Sequence, residues 1–274
     1  MTEPASHSVG TRLPAWDGAT YAANTGHHRE HDDAFLAPLP LRRTDRVLDV
    51  GCGSGDLTAR IAAAVPDGHV VGLDASASML AEAARAAGPN QSFVEGRAQD
   101  VAQLLPAPAA FDIVLTRAAL HWVPAAEHPA VHADVRRLLR PGGWYRIEHG
   151  GAGNVAQVQA LLDDISAGLG GPVAPWTFPD AGAALDALGR AGFDVDAGGA
   201  GFVGTVGQRR SFDEVGVRGW LASQVRMAYE VGLAADAVAE FRAAVDARLG
   251  ELRRHDGSFD LTYVRLDALV QLPP

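Results

Sequence analysis

The chain has 274 residues, of which 47% are hydrophobic and 20% charged, so it can bury a substantial core, and disorder over most of its length is not expected. Its formal net charge of −10 argues against nucleic acid as a partner, because a polyanion would be repelled and no stripe of Lys or Arg overrides that charge locally. Cys52 is the single cysteine, and no run of about 18 apolar residues occurs, so the sequence predicts a cytoplasmic protein with no membrane span.

An N-terminal arm and a cap helix are predicted for residues 1–40. The first 18 or so residues carry Pro, Gly, Ser and Thr without periodicity, which is typical of a loose arm. Spacings of three and four then bring Tyr21, His28 and Leu36 toward one face of a helix over 21–36. Pro38 ends that helix.

Residues 41–150 alternate regularly between strand and helix patterns. Strands separated by helix-length segments pair in parallel through right-handed crossovers. The sequence therefore predicts an α/β fold, a doubly wound, Rossmann-like, mostly parallel sheet with helices on both faces and a helical cap. The predicted strands are 46–50, 69–74, 91–96, 111–116 and 144–149, and the predicted helices are 56–65, 76–87 and about 129–139.

The regular alternation ends near Gly150. Residues 151–255 are predicted to form a cap insertion together with the remaining core elements, with helices over 155–167 and 180–191 and two more between 212 and 254. Residues 256–274 are predicted to form a C-terminal strand that returns to the sheet as an edge strand, because FDLTYVRLDALVQL alternates in polarity.

The strongest local signal is the turn Asp49-Val50-Gly51-Cys52-Gly53-Ser54-Gly55, placed where an apolar strand passes into a helix. Glycines let the backbone turn sharply and approach a ligand without a Cβ in the way. Asp74 closes the next strand, where a carboxylate can accept hydrogen bonds from both hydroxyls of a ribose. The two features together predict a ligand that carries a nucleoside.

Charge and spacing at the turn discriminate between nucleoside ligands. The dinucleotide pattern G-x-G-x-x-G requires a third glycine where this chain has Asp56. Asp49 adds a second carboxylate, which disfavours phosphates and suits a ligand with a sulfonium and an ammonium, such as S-adenosylmethionine. Three alternatives stay open: a dinucleotide-dependent oxidoreductase, a non-catalytic cofactor-binding protein with the same fold, and a glycine turn without a ligand.

Four segments, VLDVGCGSG, GLDAS followed by Met79, FDIVLTRAALHWV and LLRPGGW, resemble the successive motifs of class I S-adenosylmethionine-dependent methyltransferases. They follow that family's order between about residues 44 and 149. The resemblance implies a cofactor site made by Asp49, Gly51, Cys52, Gly53, Gly55, Asp74, Ala75, Met79, Arg97, Ala98, Thr116 and Arg117.

The resemblance also implies individual roles at that site. The glycines would line the methionine moiety, Asp49 would help to hold its amino group, and Asp74 would bind the ribose. The residues that follow Asp74 would flank the adenine. Arg97-Ala98 stands where many members have Asp-Ala, so the contact to the adenine N6 passes to Asp100 or to backbone.

A weaker resemblance, to the trans-aconitate methyltransferase branch, rests on Trp16, Tyr21, the Arg29 region, the LHWV segment at 120–123 and the late helix SFDEVGVRGWL. It implies that the N-terminal helix and the segment after Gly150 roof the active site. It further implies a small-molecule acceptor, an acid or a neutral metabolite, with O-methylation of a carboxylic acid as one outcome.

Methyl transfer from a sulfonium is an in-line displacement, so the protein acts mainly by positioning the acceptor and excluding water. The catalytic candidates are His121, Tyr21 and His28, and His121 is placed first because it follows the fourth strand at the edge where open α/β sheets bind ligands. Each of them has an equally ordinary interpretation as a packing residue. The candidates for acceptor binding are Tyr21, Arg29, Trp122, Glu148, His149, Trp176 and Trp220.

An acceptor carboxylate would need a basic partner, and Arg29 or Arg226 can provide one. No metal is predicted: His27 with His31 and His128 with His132 have metal-ligand spacing, but neither pair has an evident third ligand, and solvated helix faces explain them better. The Ala-rich helices suit a monomer or a homodimer equally.

Overall fold

The structure is a computed structural model and describes residues 31–105 and 110–274. Its strands form a sheet in the order β3-β2-β1-β4-β5-β7-β6. Strands β1 to β5 are mutually parallel, whereas β7 is antiparallel to both of its neighbours. The strands are β1 (Arg46–Val50), β2 (His69–Asp74), β3 (Gln91–Glu95), β4 (Phe111–Arg117), β5 (Leu139–Gly150), β6 (Phe202–Phe212) and β7 (Phe259–Gln271).

Helices cover both faces of this sheet, which confirms the predicted doubly wound, Rossmann-like α/β fold. In the described ranges they are α1 (Asp32–Leu36), α2 (Asp56–Ala64), α3 (Ala77–Arg85), α4 (Val101–Leu104), α5 (His128–Leu138), α6 (Ala156–Gly168), α7 (Ala181–Arg190), α8 (Glu214–Trp220), α9 (Met227–Glu230) and α10 (Ala237–Arg248). None of these helices combines the length and the apolar character needed to cross a bilayer.

Alternate residues of the central strands enter different cores. Val47 of β1 packs with Phe35 of α1 and Ile61 of α2, whereas Leu48 belongs to the opposite core, with Val135 of α5. A strand buried on both faces reads as a continuous apolar run, which is the pattern of RVLDV. The two-sided burial fixes the register, because a slip by one residue would exchange the faces.

The segment after β5 builds a further core at one end of the sheet. Leu162 of α6, Val217 of α8 and Phe241 of α10 are fully buried there, together with Phe259 at the start of β7. A π-helical turn over Leu221–Val225 joins α8 to α9. The division of the chain at residues 40, 150 and 255 stays a prediction.

Local signals placed several helix ends correctly. Ser76, where the helix over 76–87 was predicted to begin, is the N-cap of α3 and accepts a hydrogen bond from the Met79 amide at 3.4 Å. Asp180 accepts one from the Ala183 amide at 2.8 Å at the start of α7. The helix predicted over 21–36 falls within the described residues only at its end, where α1 begins at Asp32.

The prediction that the last strand is an edge strand was wrong. β7 lies between β5 and β6, and β6 forms the edge of the sheet. The alternation in polarity fails near the end of β7, where Ala268, Leu269 and Val270 are buried consecutively. Such a run is typical of a strand with a neighbour on each side and cover on each face.

Candidate active site

The turn between β1 and α2 places three glycines in the left-handed region, with φ of 79° at Gly51, 54° at Gly53 and 81° at Gly55. A Cβ on Gly51 would lie 2.2 Å from the Cβ of Ala119, and one on Gly55 would lie 2.9 Å from that of Ala83. A Cβ on Gly53 would meet no atom within 4 Å. Gly51 and Gly55 therefore permit close packing, while Gly53 borders open space.

Asp74, at the end of β2, holds the turn in place. Its Oδ2 accepts a hydrogen bond from the Gly53 amide and its Oδ1 accepts one from the Ser76 amide, each at 2.9 Å. Burial raises the pKa of this carboxyl, and the two amide hydrogen bonds oppose the increase. Each carboxylate oxygen retains a lone pair that can accept from a ligand hydroxyl.

Asp49 is buried at the end of β1, with a relative exposure of 1%. Its Oδ2 accepts a 2.7 Å hydrogen bond from the Thr58 hydroxyl. Burial raises its pKa to about 7, the Thr58 hydrogen bond opposes this, and the nearby Asp74 carboxylate adds to it. Asp49 thus places beside the glycine turn a buried carboxyl that holds its proton more tightly than an ordinary aspartate does.

A cleft of about 800 Å³ opens above the turn, and we call it the glycine-turn cleft. Eight of the residues predicted for cofactor binding line it: Gly51, Gly53, Asp74, Ala75, Met79, Arg97, Ala98 and Arg117. Four others do not: Asp49, Cys52, Gly55 and Thr116. Burial raises the pKa of the Cys52 thiol, which lies against Gly72 of the neighbouring strand.

Sequence reasoning missed several residues that line the glycine-turn cleft, namely Leu73, Gly96, Gln99, Ala119 and Val123. It assigned Trp122 to the acceptor alone, whereas Trp122 also lines this cleft. Ala118 has a φ of 52°, an unusual value for a residue with a Cβ, so the chain turns sharply immediately after β4. Asp100, considered as a partner for the adenine, is not among the lining residues.

A second cavity of about 710 Å³ adjoins the first, and we call it the aromatic chamber. Six described residues predicted for acceptor binding or catalysis line it: His121, Trp122, Glu148, His149, Trp176 and Trp220. Residues not predicted also line it, among them Phe178, Gln224, Tyr263 and Arg265. Ala118 and Trp122 border both cavities, so the two spaces meet at this pair.

The chamber's two histidines are uncharged at neutral pH. Burial, with a smaller contribution from neighbouring histidines, lowers the pKa of His121 to about 3, and its Nδ1 is buried without a hydrogen-bond partner. Burial lowers the pKa of His149 to about 4, and its Nδ1 donates to the Gly150 carbonyl at 2.8 Å. The His121 ring centroid lies 5.5 Å from that of Trp122 and 5.9 Å from that of Phe178.

A chain of ion pairs joins the two cavities. Glu148 Oε1 accepts a hydrogen bond from Arg117 Nε at 3.2 Å and another from Arg265 Nη1. Arg117 also donates to Asp32 of α1. Arg117 lines the glycine-turn cleft, whereas Glu148 and Arg265 line the aromatic chamber. The chain continues from Asp32 to Arg60, whose Nη1 donates to Asp32 Oδ2 at 3.0 Å, so acidic and basic groups alternate across the site.

Two expectations about basic residues are corrected by the structure. His128 and His132 do not lie on a solvated helix face, because both are buried against the sheet, and His128 Nε2 lies 3.0 Å from the Leu120 carbonyl oxygen. Arg226 lies outside the chamber and pairs with Glu230 at 2.8 Å. Within the described ranges no cluster of three or more potential metal ligands is present. Tyr21, His27, His28 and Arg29 lie outside the described residues.

Comparisons with known proteins agree with this geometry. A family model described as a methyltransferase domain matches residues 47–143. A trans-aconitate 2-methyltransferase of Deinococcus radiodurans is 37% identical over 127 residues, which cover 44% of this chain and 46% of that protein. The chain spans about half the length of the trans-aconitate relatives that it matches.

A solved structure supports the fold. Phosphoethanolamine N-methyltransferase 2 of Haemonchus contortus, in complex with S-adenosyl-L-methionine, is 16% identical with a TM-score of 0.59, over 94% of this chain and 57% of that one. An uncharacterized methyltransferase of Schizosaccharomyces pombe, C70.08c, is 32% identical over 189 residues, which cover 66% of this chain and 71% of that protein. The chain belongs to the class I S-adenosylmethionine-dependent methyltransferase family.

Proposed function

We propose that this protein transfers the methyl group of S-adenosylmethionine to a small-molecule acceptor, with the cofactor in the glycine-turn cleft and the acceptor in the aromatic chamber. One observation carries the proposal: the two cavities share Ala118 and Trp122 as a common border. A methyl group exposed at that border would face an acceptor on the other side. Holding the two reactants in line in this way is the main requirement of a displacement reaction.

The residues of the glycine-turn cleft fit the proposed cofactor. Asp74 has acceptor capacity left for two ribose hydroxyls, and Gly51 and Gly53 allow the methionine tail to lie against backbone. The buried Asp49 carboxyl provides a negative charge beside the turn that favours an ammonium group. Met79 and Ala98 provide apolar surface for the adenine.

The bound cofactor would supply an electrophilic methyl group, and the chain's own residues would position its target. Trp122, Trp176 and Phe178 line the chamber and would help to exclude water around a bound acceptor, which would strengthen the polar contacts made inside it. The neutral imidazole of His121 can exchange a hydrogen bond with an acceptor group. Burial lowers its pKa and so disfavours its charged form, and we propose that it orients the acceptor through this hydrogen bond.

The proposal leaves two classes of acceptor to be distinguished. The trans-aconitate relatives support a carboxylic acid, whereas the aromatic lining of the chamber supports a flat molecule that carries less charge than such an acid. Transfer of labelled methyl from S-adenosylmethionine to matched panels of acids, phenols, alcohols and amines would identify the class. Turnover of none of these at high enzyme concentration would favour the non-catalytic alternative.

The cofactor itself is tested by calorimetry. We expect S-adenosylhomocysteine to bind with a dissociation constant on the order of micromolar and NADH not to bind detectably. Asp56 begins α2, where a dinucleotide site would bring the pyrophosphate, and its carboxylate would repel that group. Binding of NADH without S-adenosylhomocysteine would replace the proposal with the oxidoreductase alternative.

A further inference from the structure

Glu148 and Arg265 face one another in the wall of the aromatic chamber. Arg265 Nη1 donates to Glu148 Oε1, and Arg117 Nε donates to the same oxygen at 3.2 Å. Both side chains of the pair are largely buried, with relative exposures of 12% for Glu148 and 13% for Arg265. An ion pair so shielded from water resists separation, because each partner would be left as an unpaired buried charge.

The rest of the described lining carries no net charge. His121 and His149 are neutral, and the remaining side chains of the lining are apolar, aromatic or amide groups. Trp122, Trp176 and Phe178 present ring surfaces to the same space. Within the described residues, the chamber is therefore a largely apolar slot in which the charges of the two ionised lining groups, Glu148 and Arg265, are paired with each other.

Three unpaired polar atoms belong to residues of the same lining. The Tyr263 hydroxyl, His121 Nδ1 and Arg265 Nε are buried, and none of them has a hydrogen-bond partner in the protein. Buried polar atoms are normally paired, so these three indicate a ligand group that completes them. A hydroxyl both donates and accepts a hydrogen bond and is suited to each of these atoms, including the Nε donor of Arg265.

We infer that the chamber selects an uncharged, flat and largely apolar acceptor that bears a hydroxyl, and that Glu148 sets this specificity by occupying Arg265. The inference rests on the proposed function for the chamber's role as the acceptor site. An entering carboxylate must either lie beside Glu148 or displace it from Arg265, and both arrangements leave a negative charge poorly compensated. An entering ammonium must likewise either lie beside Arg265 or displace it from Glu148, and both arrangements leave a positive charge poorly compensated.

Three probes of one shape test the inference: 2-naphthylmethanol, 2-naphthoate and 2-naphthylmethylammonium, titrated calorimetrically near pH 7 with S-adenosylhomocysteine present at saturation. The alcohol is expected to bind the wild-type protein more tightly than either ion by on the order of tenfold, since neither ion has a free counter-ion in the described lining. Glu148→Gln should tighten the binding of the carboxylate and weaken that of the ammonium. Arg265→Gln should do the reverse.

The controls separate folding, cofactor and acceptor effects. Glu251→Gln makes the same change of charge on a residue outside the chamber and should leave the order of the probes as in the wild type. A wild-type preference for the carboxylate or the ammonium overturns the inference, as does a Glu148→Gln protein that binds S-adenosylhomocysteine but keeps the wild-type order. Failure of the wild-type protein to bind S-adenosylhomocysteine would instead overturn the proposed function.

Discussion

The Thr58 hydroxyl on α2 donates a 2.7 Å hydrogen bond to Asp49 Oδ2 at the end of β1. The bond joins the two elements that flank the glycine turn, and it is the one hydrogen bond that opposes the effect of burial on the Asp49 pKa. The balance leaves that pKa near 7, well above its ordinary value of 3.8. Ionisation of this buried carboxyl destabilises the folded protein at neutral pH, and the resulting negative charge can interact with a ligand.

Replacement of Asp49 by Asn should therefore stabilise the ligand-free protein and weaken ligand binding. The folded state binds the extra proton between about pH 4 and pH 7, so the stability of the wild type falls as pH rises through that window. At pH 8 we expect Asp49→Asn to raise the free energy of unfolding by on the order of 2 kcal/mol, with the gain lost near pH 4. Denaturant unfolding of the wild type and the variant at pH 8 and at pH 4 measures this difference in unfolding free energy.

The same variant should bind S-adenosylhomocysteine more weakly by at least about tenfold, because the ammonium loses a nearby negative charge. Wild-type affinity should rise between pH 6 and pH 8, as ionisation of Asp49 proceeds, and the variant should lack this rise. Lower stability of the variant at pH 8 together with unchanged affinity would contradict the assignment.

Gly51→Ala should be far more damaging than Gly142→Ala, although both glycines have a positive φ, 79° and 73°. A Cβ at Gly142 meets no atom within 4 Å, so only backbone strain of about 1 kcal/mol is expected there. A Cβ at Gly51 would overlap that of Ala119, at 2.2 Å. We expect a further loss of 2 kcal/mol or more in stability, roughly the cost of overpacking, and loss of S-adenosylhomocysteine binding. Equal losses of stability and of binding in the two variants would contradict the close approach of Ala119, which follows β4, to Gly51.

Asp74→Asn should reduce the affinity for S-adenosylhomocysteine by about ten- to a hundredfold, because one side-chain acceptor is replaced by a donor. That donor would also face either the Gly53 or the Ser76 amide. Asp100→Asn is the matched control, since Asp100 does not line the cleft and its replacement should change affinity little. A larger loss of affinity in Asp100→Asn would instead indicate that Asp100 contacts the adenine. Calorimetry on the two variants gives the comparison.

His132 should contribute to acid sensitivity. Burial lowers its pKa from 6.5 to about 3, so between these values the unfolded chain binds a proton that the folded protein does not. Stability therefore falls as pH decreases through this window. His132→Gln and His132→Phe should each reduce the slope of unfolding free energy against pH, measured between pH 4.5 and 6, by about 1.4 kcal/mol per pH unit. Equal slopes in wild type and variants would show that His132 is protonated in the folded protein.

The sequence predicted the half of the sheet that carries the glycine turn almost residue for residue. Continuous apolar runs bounded by turn residues define β1 and β2, and both begin and end where the pattern placed them. The turn and Asp74 could be identified because a left-handed turn that hydrogen-bonds to a carboxylate constrains residue type directly. Local chemistry was sufficient in this region.

The aromatic chamber depended on long-range placement and was only partly predicted. Arg265 enters the chamber because β7 pairs with β5 in a register that sets it opposite Gly150. No local pattern indicates that register, since the first half of β7 alternates as an edge strand would. The buried histidines His128 and His132 share the same difficulty, because helical spacing alone does not distinguish a face turned to water from one turned to the sheet.

The position of β7 also bears on how the protein is synthesised. One edge of β5, over residues 144–150, and all of β6 pair with a strand that begins at Phe259, so during synthesis both edges stay unpaired until this late segment emerges from the ribosome. Contacts between residues so far apart in sequence form slowly, and until they form, the unpaired backbone N–H and C=O groups of these edges can pair with other chains. Nascent chains halted before Phe259 are therefore the species most in need of chaperones.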